Sequence, residues 1–185
     1  MSVVAAWNGE IGSDSMGFCE TTGIWMPQQK LFVRNREIVL GTCGNSVSFG
    51  DISFILAYLA DVVWLLEQTG KNLVRGREDN TAFTDFVETL RDYSIILMSK
   101  KGRYIVHEKG VQRFTNDVPI TIGTGGHVAS TALLLGLKMH QAIETAIHIG
   151  ENVRGEPRVV KAKELLTIRR PKSRLERMLK VVEVI

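Results

Sequence analysis

The sequence predicts an α+β domain in which antiparallel sheets lie between layers of helices. Three observations carry this. A short strand-like run at the very start of the chain is followed by Asn8-Gly9, the strongest short-range hairpin signal. A long apolar stripe at helical spacing follows only after four strand-like runs. Further along, a second block of strands precedes a second block of helices, an order that favours antiparallel sheets over a parallel βαβ fold.

Taken in order, Ser2–Trp7 is rich in small and β-branched residues and reads as the first strand, with Ile11–Asp14 as its return partner. Met16–Pro27, with Gly17 and Gly23, is expected to be irregular. Lys30–Val33 and Glu37–Cys43 read as the third and fourth strands, joined by a turn at Asn35-Arg36. A helix is expected to start after Ser48 or Asp51, because Ile52, Ile55, Leu56, Leu59, Val62, Val63 and Leu66 keep helical spacing and Gly70 stops the run. Residues 71–80 read as a loop, and Thr81–Leu90 as a short amphipathic segment of either type. Tyr93–Ser99 and Tyr104–His107 form a hairpin around Lys101-Gly102, with a further short strand at Val111–Phe114. Ile120–Ile122 leads into Gly123-Thr-Gly-Gly126, then helices over His127–Leu137 and Gln141–Ile149. A turn over Gly150–Pro157 precedes a last strand beginning at Val159-Val160, and Arg169–Val182 reads as a basic amphipathic helix. The expected division is a domain over 1–168 and a basic tail over 169–185.

A chain of 185 residues, 44% hydrophobic and 23% charged, suits one domain with a substantial core. The most apolar window, Ile52–Leu66, contains Asp61 and is too short to cross a bilayer. No secretory signal pattern opens the chain. Its two cysteines, Cys19 and Cys43, make no disulfide framework, so a reducing cytoplasm is the expected compartment, that of the host for a viral chain. Of the net charge of +3, residues 158–185 supply +6, from nine basic and three acidic residues, which leaves −3 on the body. Such a body is not a nucleic-acid-binding domain; the tail suits an acidic partner, a neighbouring subunit or RNA.

Gly123-Thr-Gly-Gly126 has Val128 where a dinucleotide fingerprint needs its third glycine, and no Gly-Lys-Ser/Thr of a P-loop, so it reads as a tight strand-to-helix connection. His107, His127, His140 and His148 share no metal-ligand spacing with the cysteines, and neither a metal nor a cofactor is expected.

The order of elements, with Ser2, Asp14 in Gly12-Ser-Asp-Ser15, Lys30 before Leu-Phe-Val, Leu40-Gly-Thr-Cys-Gly44, Ile122-Gly-Thr-Gly-Gly126 and Gln141–Gly150, resembles the proteasome β subunits, the HslV-type peptidase subunit of the bacterial two-component protease, and short proteasome-like proteins of phages and bacteria. The resemblance spans roughly residues 2–160. It implies a four-layer α/β/β/α sandwich and hydrolysis of peptide bonds by an N-terminal nucleophile inside a homo-oligomeric ring, with no membrane involved. The substrate would be a peptide or unfolded protein. No Walker motif occurs here, so any ATPase unfoldase is another chain.

By the same resemblance Ser2 is the nucleophile, Asp14 and Lys30 its supporting pair, and Gly44 the oxyanion donor. Thr124 takes the place of a family serine, and Glu151 that of a family aspartate. The residue types suit the chemistry. A hydroxyl needs a base beside it, and a free α-amine, with a pKa of about 7.7–8.0, can be that base. The scheme requires removal of Met1, which a small residue at position 2 permits. Several departures stand out: Ser2 replaces the usual threonine, the first hairpin is about two residues short, and Arg154 stands before Gly155 where the family has serine. Glu151 and Arg154, and Met1 if it is retained, favour instead an inactive structural subunit. Cys43 reads as a small buried hydrophobe rather than a second nucleophile.

Overall fold

The computed structural model describes residues 2–19, 21–44, 49–69, 73–74, 93–107, 110–150 and 153–169. Met1, the segment Thr81–Leu90, Glu151 and the tail beyond Arg169 lie outside the described residues.

Strands β1 (Val4–Trp7) and β2 (Glu10–Ser13) form the first hairpin. Asn8 and Gly9 both take positive φ, +46° and +73°, the left-handed pair that the tightest hairpin turn demands. Asn35 and Arg36 repeat the device, at +52° and +57°, between β5 (Leu31–Arg34) and β6 (Ile38–Gly44).

Between these hairpins, the stretch expected to be irregular is a third one, β3 (Met16–Cys19) with β4 (Ile24–Pro27). Its strands lack clean alternation because the ribbon stands apart from both main sheets, and β4 is largely exposed. Helix α1 (Phe49–Thr69) follows. Leu73–Val74, expected to be loop, is a two-residue strand, β7, paired with β10 (Gly110–Phe114). β8 (Tyr93–Ser99) and β9 (Arg103–His107) form the expected hairpin.

β11 (Ile120–Ile122) leads into α2 (Gly126–Leu134) and α3 (Met139–Ile149). α2 ends three residues sooner than its apolar run suggests. Gly136, at φ +92°, closes it by donating to the Leu133 carbonyl while Leu137 N–H reaches back to Ala132. α3 begins two residues earlier than expected, its start fixed by the Gln141 side chain accepting from Lys138 N–H. β12 (Arg158–Lys161) and a short 3₁₀ turn (Ala162–Glu164) complete the described chain.

Apart from the β3–β4 ribbon, the described strands form two antiparallel sheets, in the orders β11-β1-β2-β12 and β5-β6-β8-β9-β10-β7. Side-chain alternation along each strand assigns the layers. Val3 and Ala5 pack under α2 and α3 with Ala129, Leu133, Met139 and Ile143. Val4, Ala6 and Ile11 face Leu31, Val39, Cys43, Ile96 and Met98 of the other sheet. Ile38, Leu40, Ile95 and Leu97 lie on the far side, under Leu59, Val62, Val63 and Leu66 of α1. The result is the four-layer α/β/β/α sandwich. Gly41 lets the sheets approach, since a Cβ there would sit 2.5 Å from Val4 Cγ1. Among the described residues no helix is long and apolar enough to cross a membrane.

Candidate active site

Antiparallel pairing decides which strand ends meet. The start of β1 lies beside the end of β2 and the end of β11, because β1 pairs with both. In the facing sheet, the start of β5 lies beside the end of β6. These five ends converge at one edge of the space between the sheets, and Ser2, Asp14, Gly123, Lys30 and Cys43 come together there.

Ser2 is only 4% exposed. Its carbonyl accepts from Gly125 N–H at 3.2 Å and is approached by the Thr124 hydroxyl at 3.5 Å. Gly123 makes that approach possible. It sits at φ +85°, and a Cβ on it would lie 2.2 Å from the Ser2 carbonyl oxygen and 2.9 Å from Cys43 Sγ. The glycine run is thus a cradle for the start of β1, in keeping with its reading as a tight connection.

Asp14 and Lys30 form a buried ion pair, Oδ2 to Nζ at 2.5 Å. The other carboxylate oxygen accepts from Val3 N–H at 2.9 Å, while Asp14 N–H donates to the Val3 carbonyl. Asp14 therefore holds the residue next to Ser2 by backbone and side chain at once. Lys30 donates a second bond, to the Met16 carbonyl at 2.5 Å, tying the start of β3 into the site. Burial pushes the Asp14 carboxyl above its ordinary value, opposed by the charge and hydrogen bond of Lys30. Burial likewise holds Lys30 below its ordinary value, opposed by Asp14.

Cys43 is the residue whose place sequence reasoning undervalued. It is a buried free thiol, as expected, yet it stands in the middle of the site. Its Sγ is 3.6 Å from the Ile122 carbonyl. Burial pushes the thiol up to about 11, against the pull of the neighbouring Ser2 side chain and the charge of Lys30. The available signal was alternation: Val39, Gly41 and Cys43 share the face turned toward β1.

Gly44 ends β6 at φ +135°, a conformation that favours glycine, and follows directly on Cys43. Glu151 lies outside the described residues. Arg154 does not join the cluster through any described contact; its guanidinium lies over the Trp25 ring, 5.2 Å from the centroid, against the β3–β4 ribbon. Among the described residues no group of three His, Cys, Asp or Glu side chains is placed to hold a metal ion.

No protein-family model and no curated protein matches the sequence. Solved structures do match the fold. Eukaryotic HslV from Trypanosoma brucei superposes with a TM-score of 0.57 at 16% identity, covering 86% of this chain and 97% of that one. Thiobacillus denitrificans BPH, in complex with epoxomicin, gives 0.53 at 12% identity, covering 87% of this chain and 98% of that one. A second BPH structure gives 0.53 at 12%, covering 87% and 97%. The fold is therefore that of the HslV and proteasome-type chains.

Proposed function

We propose that the protein is a proteasome-like hydrolase that cleaves peptide bonds with Ser2 as N-terminal nucleophile. The observation that carries this reading is the buried Asp14–Lys30 pair clasped to Val3, one residue from Ser2. A buried ion pair is costly to desolvate, and its position at the start of β1 is better explained by chemistry at Ser2 than by stability.

Removal of Met1 frees the Ser2 α-amine. The amine takes the hydroxyl proton as Oγ attacks the scissile carbonyl, and later passes it to the leaving amine. Lys30 supplies positive charge beside the nucleophile, and Asp14 fixes its position. Gly44 N–H steadies the oxyanion. Thr124, with Gly125, anchors the Ser2 carbonyl, and Glu151 takes the amine-supporting place of the family aspartate. Copies of the chain assemble into a ring that encloses the sites, and a separate ATPase unfoldase feeds them unfolded protein.

A second reading, a scaffold subunit that assembles without cutting, is favoured by one observation. Arg154 replaces the family serine and stacks on Trp25. Hydrolysis of a fluorogenic peptide separates the two. The hydrolase reading expects turnover by the wild type, loss in Ser2→Ala and retention in Ser2→Thr. Equal rates in wild type and Ser2→Ala would leave the scaffold.

A further inference from the structure

Lys30 is held from both sides of a single residue. Its ammonium reaches the Asp14 carboxylate and the Met16 carbonyl, each at 2.5 Å, and Ser15 lies between these two in the chain. The backbone of Ser15 therefore sets the spacing of the two acceptors that share the ammonium.

Ser15 is itself fixed at two points. Its carbonyl accepts from Gln28 N–H at 2.9 Å, two residues before Lys30. Its hydroxyl, on a half-buried residue, accepts from Glu156 N–H at 2.8 Å. The second contact brings in the connection between α3 and β12. Gly155 there sits at φ +98°, and a Cβ on it would lie 2.5 Å from Ser15 Oγ and 2.6 Å from Met16 Cγ. Val153 packs against Gly125, where a Cβ would lie 2.7 Å from Val153 Cγ2, and Gly125 N–H holds the Ser2 carbonyl. Residues 153–156 thus touch both the segment that holds Lys30 and the glycine that holds Ser2.

We propose that Ser15 is a positioning residue for Lys30, its hydroxyl latching residues 153–156 onto the segment between β2 and β3 and so keeping the Met16 carbonyl within reach of the ammonium. Its effect on rate rests on the hydrolase reading; its effect on the lysine does not.

The consequence has a sign. Burial already holds Lys30 below its ordinary value. A Met16 carbonyl that drifts away removes an acceptor from the charged form alone, so the ammonium loses its proton at a lower pH. The groups facing it are Asp14 at the end of β2, Cys43 on β6, which keeps its proton to about 11, and the Ser2 α-amine once Met1 is removed. The amine must be neutral to act as base and the lysine charged to assist it. The reaction rate therefore falls on the acid side with the amine and on the alkaline side with the lysine.

The test follows the rate at which an epoxyketone probe, epoxomicin, labels the protein, read by intact mass from about pH 6 to about pH 11. Wild type, Ser15→Ala and Ser15→Thr are compared, with their unfolding midpoints. In Ser15→Ala labelling near neutral pH is expected to slow about three- to tenfold, the scale of one lost hydrogen bond. Its alkaline limb is expected about half a unit to one unit lower, with the acid limb unmoved. Ser15→Thr, which keeps the accepting oxygen, restores both. Equal rates, or a uniform slowing that leaves the alkaline limb in place, would overturn the positioning role and leave the hydrolase reading standing. No labelling of the wild type would overturn the hydrolase reading and the part of Ser15 in it.

A second measurement reads the lysine apart from activity. The ¹³Cε resonance of Lys30, identified by its absence in Lys30→Arg, is titrated in wild type and in Ser15→Ala. The midpoint is expected to fall in Ser15→Ala by about the same half unit to one unit. Coincident midpoints would overturn the proposal even if Ser15→Ala labels slowly.

Discussion

Replacing Lys30 by methionine removes half of the pair on which the account rests. The gross attraction of unit charges 2.5 Å apart is about 7 kcal/mol at an effective dielectric of 20. Desolvation offsets much of that in the intact pair. In Lys30→Met the carboxylate keeps its burial cost and retains only the Val3 N–H, so the net loss expected is about 3–5 kcal/mol at pH 7.

The sign of the pH dependence follows from Asp14. Its folded pKa is already raised by burial and rises further without the lysine. Between its unfolded value and that raised value the folded state binds a proton that the unfolded state has released. Stability of the variant therefore falls as pH rises through this window and recovers toward acid. Urea unfolding of wild type and variant at pH 5 and pH 7, at matched protein concentration, measures it. The deficit should be clearly smaller at pH 5, and Lys30→Met with Asp14→Asn should regain part of the loss at pH 7. Peptidase activity should fall about 10²-fold or more in the single variant. A loss under about 1 kcal/mol with no pH dependence would refute the buried-pair reasoning.

Three further outcomes are expected. Gly123→Ala puts a Cβ 2.2 Å from the Ser2 carbonyl oxygen at φ +85°, and should abolish activity and destabilise by about 2–4 kcal/mol in thermal or urea unfolding. Cys43, raised from 9.0 to about 11, contributes stability that is fully present below about pH 9 and lost as pH rises through 11. The stability advantage of wild type over Cys43→Ala should accordingly shrink by about 2–3 kcal/mol between pH 8 and pH 12. Arg103 is buried and donates to the carbonyls of Ala6, Thr115 and Val118; Arg103→Leu leaves those acceptors bare and should lower the unfolding free energy by about 2–4 kcal/mol.

The parts legible in the sequence are those with local causes. Asn8-Gly9 sets the first hairpin because its backbone conformation is written in its residue types. The stripe from Leu56 to Leu66 marks α1 because one face is buried at helical period. The β3–β4 ribbon was not legible, since it lies outside both main sheets and so carries no half-buried alternation. The early end of α2 was obscured by Leu134 and Leu135, apolar residues that the fold leaves exposed. At the site, Ser2, Asp14, Lys30, Gly44 and Thr124 were nominated by resemblance, which says nothing about contact. Alternation places Cys43 on the inner face of β6, but that its sulfur meets the ends of β1 and β11 depends on strands from two sheets coming together, a relation between distant residues.

The central claim is that Ser2 is the nucleophile, and peptide mapping after treatment with the epoxyketone tests it most directly. The account predicts that the chain begins at Ser2 and carries the adduct there, and that Lys30→Met slows labelling by about 10²-fold or more. An adduct on Cys43 instead, or a Ser2 that stays blocked by Met1 and unlabelled, would contradict it.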